Sequence, residues 1–146
     1  MQAQDIRICN EATELRRVSQ WLGELCADWG LPPPLLFDLD VCAQEVVTNI
    51  IDHAYSDRGL HHIDLSCSVD DGFVELVIED NGKPFDPLQH PPADSGVSLE
   101  DVKIGGLGVQ LVRRLLSDCS YARRGGHNVL TLRLATPPAP TGESSP

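Results

Sequence analysis

Apolar positions recur along the chain with two different periods, and the change from one to the other marks out its elements. Ile6 and Ile8 flank Arg7 at strand spacing, and Asn10-Glu11-Ala12-Thr13-Glu14 follows. Asn10 in that stretch can cap a helix, and acidic residues favour a helix's first turn. Leu15, Val18, Trp21, Leu22, Leu25 and Trp29 then repeat at helical spacing. They predict a first helix ending near Gly30, with Arg16, Arg17, Gln20 and Glu24 off its apolar stripe. Pro32-Pro33-Pro34 is a hard break, since three residues of fixed φ without an N–H cannot continue a helix. A second helix over about 35–55 carries Leu35, Leu36, Leu39, Val41, Val46, Val47, Ile50, Ile51 and Ala54. Apolar around most of its girth, it reads as a central helix packed on a sheet.

The period then shortens. Ile63, Leu65, Cys67 and Val69 alternate with Asp64, Ser66 and Ser68, Asp70-Asp71-Gly72 is a turn signal, and Phe73 to Glu79 is β-rich, which together predict a hairpin. Residues 80–104 contain Asn-Gly, four prolines and no sustained period, and read as a long loop of the functional or mobile kind. A third helix from about Leu107 to Ser117 should turn Leu107, Leu111, Val112, Leu115 and Leu116 inward and Arg113 and Arg114 to solvent. Asp118 to Arg123, a Gly125-Gly126 turn, and Leu130, Leu132 and Leu134 alternating with Thr131 and Arg133 make a last strand pair. From Thr136 the chain is rich in Pro and Ser and reads as a disordered tail over 136–146. The order β-α-α-β-β-α-β-β lacks the βα rhythm of a doubly wound fold. It predicts an α+β protein, a two-layer α/β sandwich whose mixed, mostly antiparallel sheet has helices on one face.

Composition narrows the function classes. A chain of 146 residues, 41% hydrophobic and 23% charged, is an ordinary globular domain rather than a collagenous or membrane-spanning one. Its net charge of −11 would repel a phosphate backbone, so direct nucleic-acid binding is not expected. No apolar run reaches the length of a membrane span and no leader pattern follows Met1, so the expected location is the cytoplasm. Five cysteines (Cys9, Cys26, Cys42, Cys67 and Cys119), with no C-x-x-C among them, read as free buried thiols. His61-His62 reads as a solvated strand start.

Three segments could carry chemistry. On the second helix, four-residue spacing puts Glu45, Asn49 and His53 on one face. The amide oxygen of Asn49 is a suitable Mg²⁺ ligand, and Glu45 could deprotonate a hydroxyl or water attacking a terminal phosphate; the same residues also read as a solvated polar stripe. Glu79-Asp80-Asn81-Gly82 ends a hydrophobic strand, where Asp80 could accept a hydrogen bond from an exocyclic amine and Gly82 would allow close backbone approach. A plain Asx turn would be spelled the same way. Gly105-Gly106-Leu107-Gly108 opens the third helix, where bare N–H groups and the helix dipole favour an anion, or where glycine simply loosens the helix entry. Neither lysine, Lys83 or Lys103, completes a P-loop, and Leu111 stands where a dinucleotide-binding turn needs its last glycine.

In this order the three segments resemble the GHKL (Bergerat-fold) ATPase superfamily, and within it the anti-sigma-factor serine/threonine-protein kinases, over roughly residues 5–135. Glu45-Val-Val-Thr-Asn49-Ile-Ile-Asp-His53-Ala-Tyr55 resembles the N box, Asp80-Asn-Gly82-Lys-Pro84-Phe85-Asp86-Pro87 the first glycine box, and Gly105-Gly106-Leu107-Gly108 the second. The resemblance implies a histidine kinase-like ATPase domain over 1–135 that uses ATP and Mg²⁺. Glu45 would be its catalytic carboxylate, Asn49 its Mg²⁺ ligand and Asp80 its adenine contact, with Gly82 under the base. Gly105, Gly106, Leu107 and Gly108 would form the lid hinge and phosphate cradle, residues 88–104 the lid, and Thr131 would sit near the adenine. His53, Tyr55 and Phe85 match the family's spelling and are assigned to packing or the helix end.

Lys83-Pro84 replaces the second glycine of the superfamily's Asp-x-Gly-x-Gly, a departure typical of the anti-sigma kinase branch and unlike sensor histidine kinases. The implied function is partner switching: sequestering a sigma factor or similar regulator and phosphorylating Ser or Thr of an antagonist protein. Dimerisation through the first helix and the sheet face is also implied. Arg16 and Arg17 on that helix are candidates for a protein contact, and also read as a solvated helix face. The competing expectation is a regulatory protein that binds ATP without catalysis. A third, an ATPase domain cut from a larger machine, is set against the start at Met1 and the Pro/Ser tail.

Overall fold

The computed structural model describes residues 2–57, 59–88 and 108–136. Strand β1 (Gln2–Cys9) leads through a 3-10 turn at Ala12–Glu14 into helix α1 (Leu15–Trp29), and helix α2 (Pro33–His53) follows. β2 (His62–Asp70) and β3 (Phe73–Asp80) form the expected hairpin; helix α3 is described over 108–115, and β4 (Asp118–Arg124) and β5 (His127–Ala135) form a second hairpin. The strands lie in the order β1-β2-β3-β5-β4, and all four neighbouring pairs are antiparallel. The β4–β5 turn needs two residues at positive φ, and Gly125 (55°) and Gly126 (81°) supply them without a Cβ penalty. None of the described helices is long and apolar enough to cross a membrane.

One face of the sheet is apolar and packs under the helices. Ile63 and Leu65 of β2, Leu76 and Ile78 of β3, and Leu132 and Leu134 of β5 join Val18 and Leu22 of α1 and Leu39, Val46 and Ile50 of α2 in a single buried core. Cys26, Cys42 and Cys67 are buried in it as free thiols, and burial pushes the last two up to about 12. A polar clamp fixes how α2 lies on α1. Gln44 Nε2 donates to Leu15 O (3.0 Å) and Ser19 Oγ (2.9 Å), while Ser19 Oγ donates to Asp40 Oδ1 (2.7 Å). With that rotation set, Glu45 and Asn49 stay half-buried at the edge of the core while Val46, Val47 and Ile50 enter it.

Several local expectations are corrected. β1 begins at Gln2, because Gln2–Asp5 ladder onto Ser66–Val69 through backbone hydrogen bonds that carry no side-chain period. Asn10 caps no helix. Its Oδ1 accepts from His61 N (2.9 Å) and its Nδ2 donates to Gly59 O (3.2 Å), while the carboxylate of Glu14 reaches back to Cys9 N (3.0 Å). The prolines do not separate the helices as a block, since Pro33 and Pro34 are the first residues of α2, where an N–H is not needed. On α3 Val109 and Val112 are buried, and Leu115 and the following Leu116 pack against the core as expected, but Leu111 is 46% exposed. The lid over 88–104 lies outside the described residues except for Leu88, and so does the tail except for Thr136, whose N–H donates to Gly72 O (2.9 Å).

Leu39 is fully buried where α2 meets the core. Leu39→Ala should cost about 2–5 kcal/mol of stability through lost transfer energy and the cavity left behind, measurable by urea unfolding.

Candidate functional site

Asp80 ends β3 on the buried face of the sheet, 2% exposed. The strand register aligns Ile8, Ile63, Asp80, Asn128 and Arg123 in one row across the five strands. The apolar sheet face therefore turns polar at its site end. Asp80 Oδ1 accepts from Gly82 N (2.8 Å) and from Asn128 Nδ2 (2.9 Å). Among the described residues Oδ2 has no donor, so one oxygen of a buried carboxylate remains to meet a ligand's N–H. Burial raises the Asp80 carboxyl above the usual range, opposed by the hydrogen bonds from Asn128 and Gly82 and by the charges of Arg123 and His127.

Gly82 is required for packing as well as for access. A Cβ there would strike the Ala54 carbonyl and come within 2.8 Å of Ala54 Cβ, and Lys83 N donates to that same carbonyl (2.8 Å). The first glycine box is thus riveted to the end of α2. Beyond it, Asn49 Nδ2 donates to Pro87 O (3.0 Å), Asp86 Oδ1 accepts from Leu88 N (3.0 Å), and Arg113 Nη2 of α3 donates to Leu88 O (2.6 Å). Because the Asn49 amide gives its N–H to Pro87, its oxygen is left for a hard cation, the donor type Mg²⁺ prefers. Glu45, one turn earlier, lies against the first residue of α3: a Cβ on Gly108 would collide with the Glu45 carboxylate. Glu45, Asn49, Asp80, Gly82 and Gly108 therefore gather where α2, the end of β3 and the start of α3 meet. Gly105, Gly106 and Leu107 lie outside the described residues.

Thr131 is a correction. It pairs with Val77 and Ser120, out of phase with Asn128, Leu130 and Leu132, and so lies on the sheet face opposite Asp80. The residue of β5 that reaches the site is Asn128, and the sequence held a signal for it: Asn128 is a polar residue in phase with Leu130, Leu132 and Leu134. His61 is also corrected from solvated to engaged. Its ring reaches Asp57 Oδ1 (2.8 Å) and Asn81 Oδ1 (3.2 Å) and stacks on Tyr55 at 4.2 Å, while His62 is exposed. The Tyr55 hydroxyl is buried without a partner among the described residues, and burial together with the Asp80 charge pushes its phenol up. His53 is exposed and its ring meets that of Phe85 at 5.9 Å, a contact between the helix end and the first glycine box.

Comparison with known proteins gives the family. Residues 8–134 match the model of the histidine kinase-like ATPase domain family. The chain is 35% identical to the serine/threonine-protein kinase BtrW of Bordetella bronchiseptica, over 83% of this chain and 85% of that one. It is 30% identical to the serine-protein kinase RsbW of Oceanobacillus iheyensis over 61% of this chain and 59% of that one, and 29% identical to RsbW of Listeria monocytogenes over 83% and 79%. Among solved structures, the RsbU and RsbW domains of Rv1364c from Mycobacterium tuberculosis superpose with a TM-score of 0.64 at 20% identity, covering 94% of this chain and 34% of that one. A blue-light activated histidine kinase of Erythrobacter litoralis gives 0.51 at 24% identity, over 73% and 32%. These two likenesses concern the fold.

Replacing Asp80 by Asn should have opposite effects on stability and on binding. Its folded pKa is raised above the unfolded value, so the stability it contributes is present below the unfolded pKa and is lost as pH rises through the folded pKa. Asp80→Asn removes that penalty and should raise the melting temperature at pH 7.5. It should also weaken adenine nucleotide binding by about 1–3 kcal/mol, through loss of a charge-assisted acceptor. Differential scanning and titration calorimetry on one preparation check both; unchanged affinity would remove Asp80 from the site.

Proposed function

The chain belongs to the histidine kinase-like ATPase domain family, with serine/threonine-protein kinases as its relatives, and from that premise we propose that it is an anti-sigma-factor-type kinase. It binds ATP with Mg²⁺, captures a sigma factor or similar regulator, and phosphorylates Ser or Thr of an antagonist protein. The observation that carries the reading is the buried Asp80 with one uncommitted oxygen, set beside the Glu45 and Asn49 face of α2. With Oδ1 taken by two protein donors, Oδ2 is the acceptor left for a ligand, and an exocyclic amine is a donor that fits it.

Each residue has one task in this reading. Asp80 accepts from the adenine amine, and Gly82 keeps the backbone close to the base. The amide oxygen of Asn49 would hold Mg²⁺, which supplies charge neutralisation on the phosphates when bound. Glu45 takes the proton of the acceptor hydroxyl as its oxygen bonds to the terminal phosphorus and the bond to the ADP oxygen breaks. Most of the remaining acceleration comes from holding the two reactants in line. Gly105, Gly106, Leu107 and Gly108, the second glycine box of the sequence, would cradle the phosphates, with Gly108 on α3 beside Glu45. Cytoplasmic transcription control, through a partner that α1 contacts with Arg16 and Arg17 in a homodimeric kinase, completes the proposal.

Glu45→Ala should lower the rate of phosphoryl transfer by about 10²–10⁴-fold while changing ATP affinity less than about threefold. Radiolabel transfer to an antagonist protein, with calorimetry alongside, measures both. Transfer at the wild-type rate would remove Glu45 as the base. Absence of transfer by the wild-type protein to any antagonist, with ATP binding intact, would leave a nucleotide-dependent capture protein instead.

A further inference from the structure

Asn128 uses every hydrogen-bonding position it has while being 1% exposed. Its Nδ2 donates to Asp80 Oδ1 (2.9 Å) and Lys83 O (2.8 Å), and its Oδ1 accepts from Phe85 N (3.1 Å), Tyr121 Oη (2.5 Å) and Arg123 Nη1 (3.1 Å). Arg123 Nη1 also donates to Gly82 O (2.7 Å). One amide thus holds the carboxylate at the end of β3, two residues of the segment that follows it, and the edge strand β4. That segment is stiff. Pro84 and Pro87 fix φ, Asp86 closes a turn onto Leu88 N, and Pro87 O takes the N–H of Asn49.

We propose that Asn128 is a positioning residue for nucleotide selection: its amide donor occupies Asp80 Oδ1 and so turns Oδ2 toward the base. Its remaining bonds hold the 83–87 strap that orients Asn49. The role rests on the reading of Asp80 as the adenine contact. Two donors, Gly82 N and Asn128 Nδ2, face Oδ1, and this arrangement fixes the plane of the carboxylate and with it the direction of the second oxygen. Without the side-chain donor, the plane of the Asp80 carboxylate is held by Gly82 N alone and the group takes up a proton more readily, and both weaken an amine contact. Asn128 acts on the base through Asp80, without touching the reacting atoms.

Asn128→Asp separates the two sides of the amide. An aspartate there keeps the acceptor bonds from Phe85, Tyr121 and Arg123 but loses the donor and sets a second carboxylate against Asp80. Besides that pair, the charged and titratable groups facing it among the described residues are Arg123 and His127 at the strand ends, Tyr121 on β4 and Tyr55 after α2, and all are common to both proteins. Two facing carboxylates share a proton at raised pKa, and the shared proton restores a donor on Oδ1.

The test titrates full-length wild type, Asn128→Asp and Asn128→Thr with ATP and with purine riboside triphosphate, which lacks the 6-amino group, at pH 8 and pH 5.5. Wild type should prefer ATP. Asn128→Asp at pH 8 should lose about tenfold in ATP affinity and less than about threefold for the analogue, and should regain ATP affinity at pH 5.5. Asn128→Thr, which keeps one hydroxyl donor, should retain the preference for ATP, and it decides the matter if the Asp variant does not fold. Equal losses for the two nucleotides, no loss, or no recovery at low pH in Asn128→Asp would overturn the positioning role, as would loss of the ATP preference in Asn128→Thr. Wild type that binds the two nucleotides equally would overturn the Asp80 reading itself, and the inference with it.

Discussion

A carboxylate buried in an apolar sheet face sets the terms for everything around it. Asp80 stands in register with Ile63 on one side and Asn128 on the other, at the point where the core gives way to the site. Burying that charge is unfavourable, and the fold tolerates it by giving Oδ1 two donors and placing Arg123 and His127 nearby. Among the described residues the other oxygen has no donor. Gly82 and the 83–87 strap are shaped by the same need, since the chain must turn tightly over Ala54 immediately after the carboxylate.

Helix α2 brings the second half of the chemistry to that point by period alone. Residues one turn apart share a face, so burying Val46, Val47 and Ile50 leaves Glu45 and Asn49 at the margin of the core. The clamp of Gln44 on Leu15 and Ser19 fixes the rotation of the helix about its axis. From the other side, Gly108 of α3 sets its bare Cα against the Glu45 carboxylate, and a side chain there would push that carboxylate out of its present position. Three elements that are remote in sequence thereby meet around two carboxylates and an amide.

Much of this was legible in the sequence wherever side-chain period and burial coincide. The α1 stripe, the girth of α2, the β2–β3 hairpin and the Leu130-Leu132-Leu134 alternation all have that character, and the motif order carried the family. Where backbone bonding decides, the period is silent, as for Gln2–Asp5 in β1. Asn10 had a local role available as a helix cap, but a bond to His61, far along the chain, won. Thr131 was drawn to the site by resemblance, while strand parity had already assigned that place to Asn128. A polar residue in phase with a buried stripe is the more physical signal, because leaving such a group unpaired is costly.

The central claim is that a polar notch in an apolar sheet is completed by an adenine amine while Asn49 serves a cation. Isothermal titration of the full-length protein with ATP and with GTP, each with and without Mg²⁺, tests it most directly. The account requires binding of ATP in clear preference to GTP, strengthened by Mg²⁺, because guanine presents a carbonyl where Asp80 needs a donor. Equal affinity for the two nucleotides, or binding of neither, would contradict it.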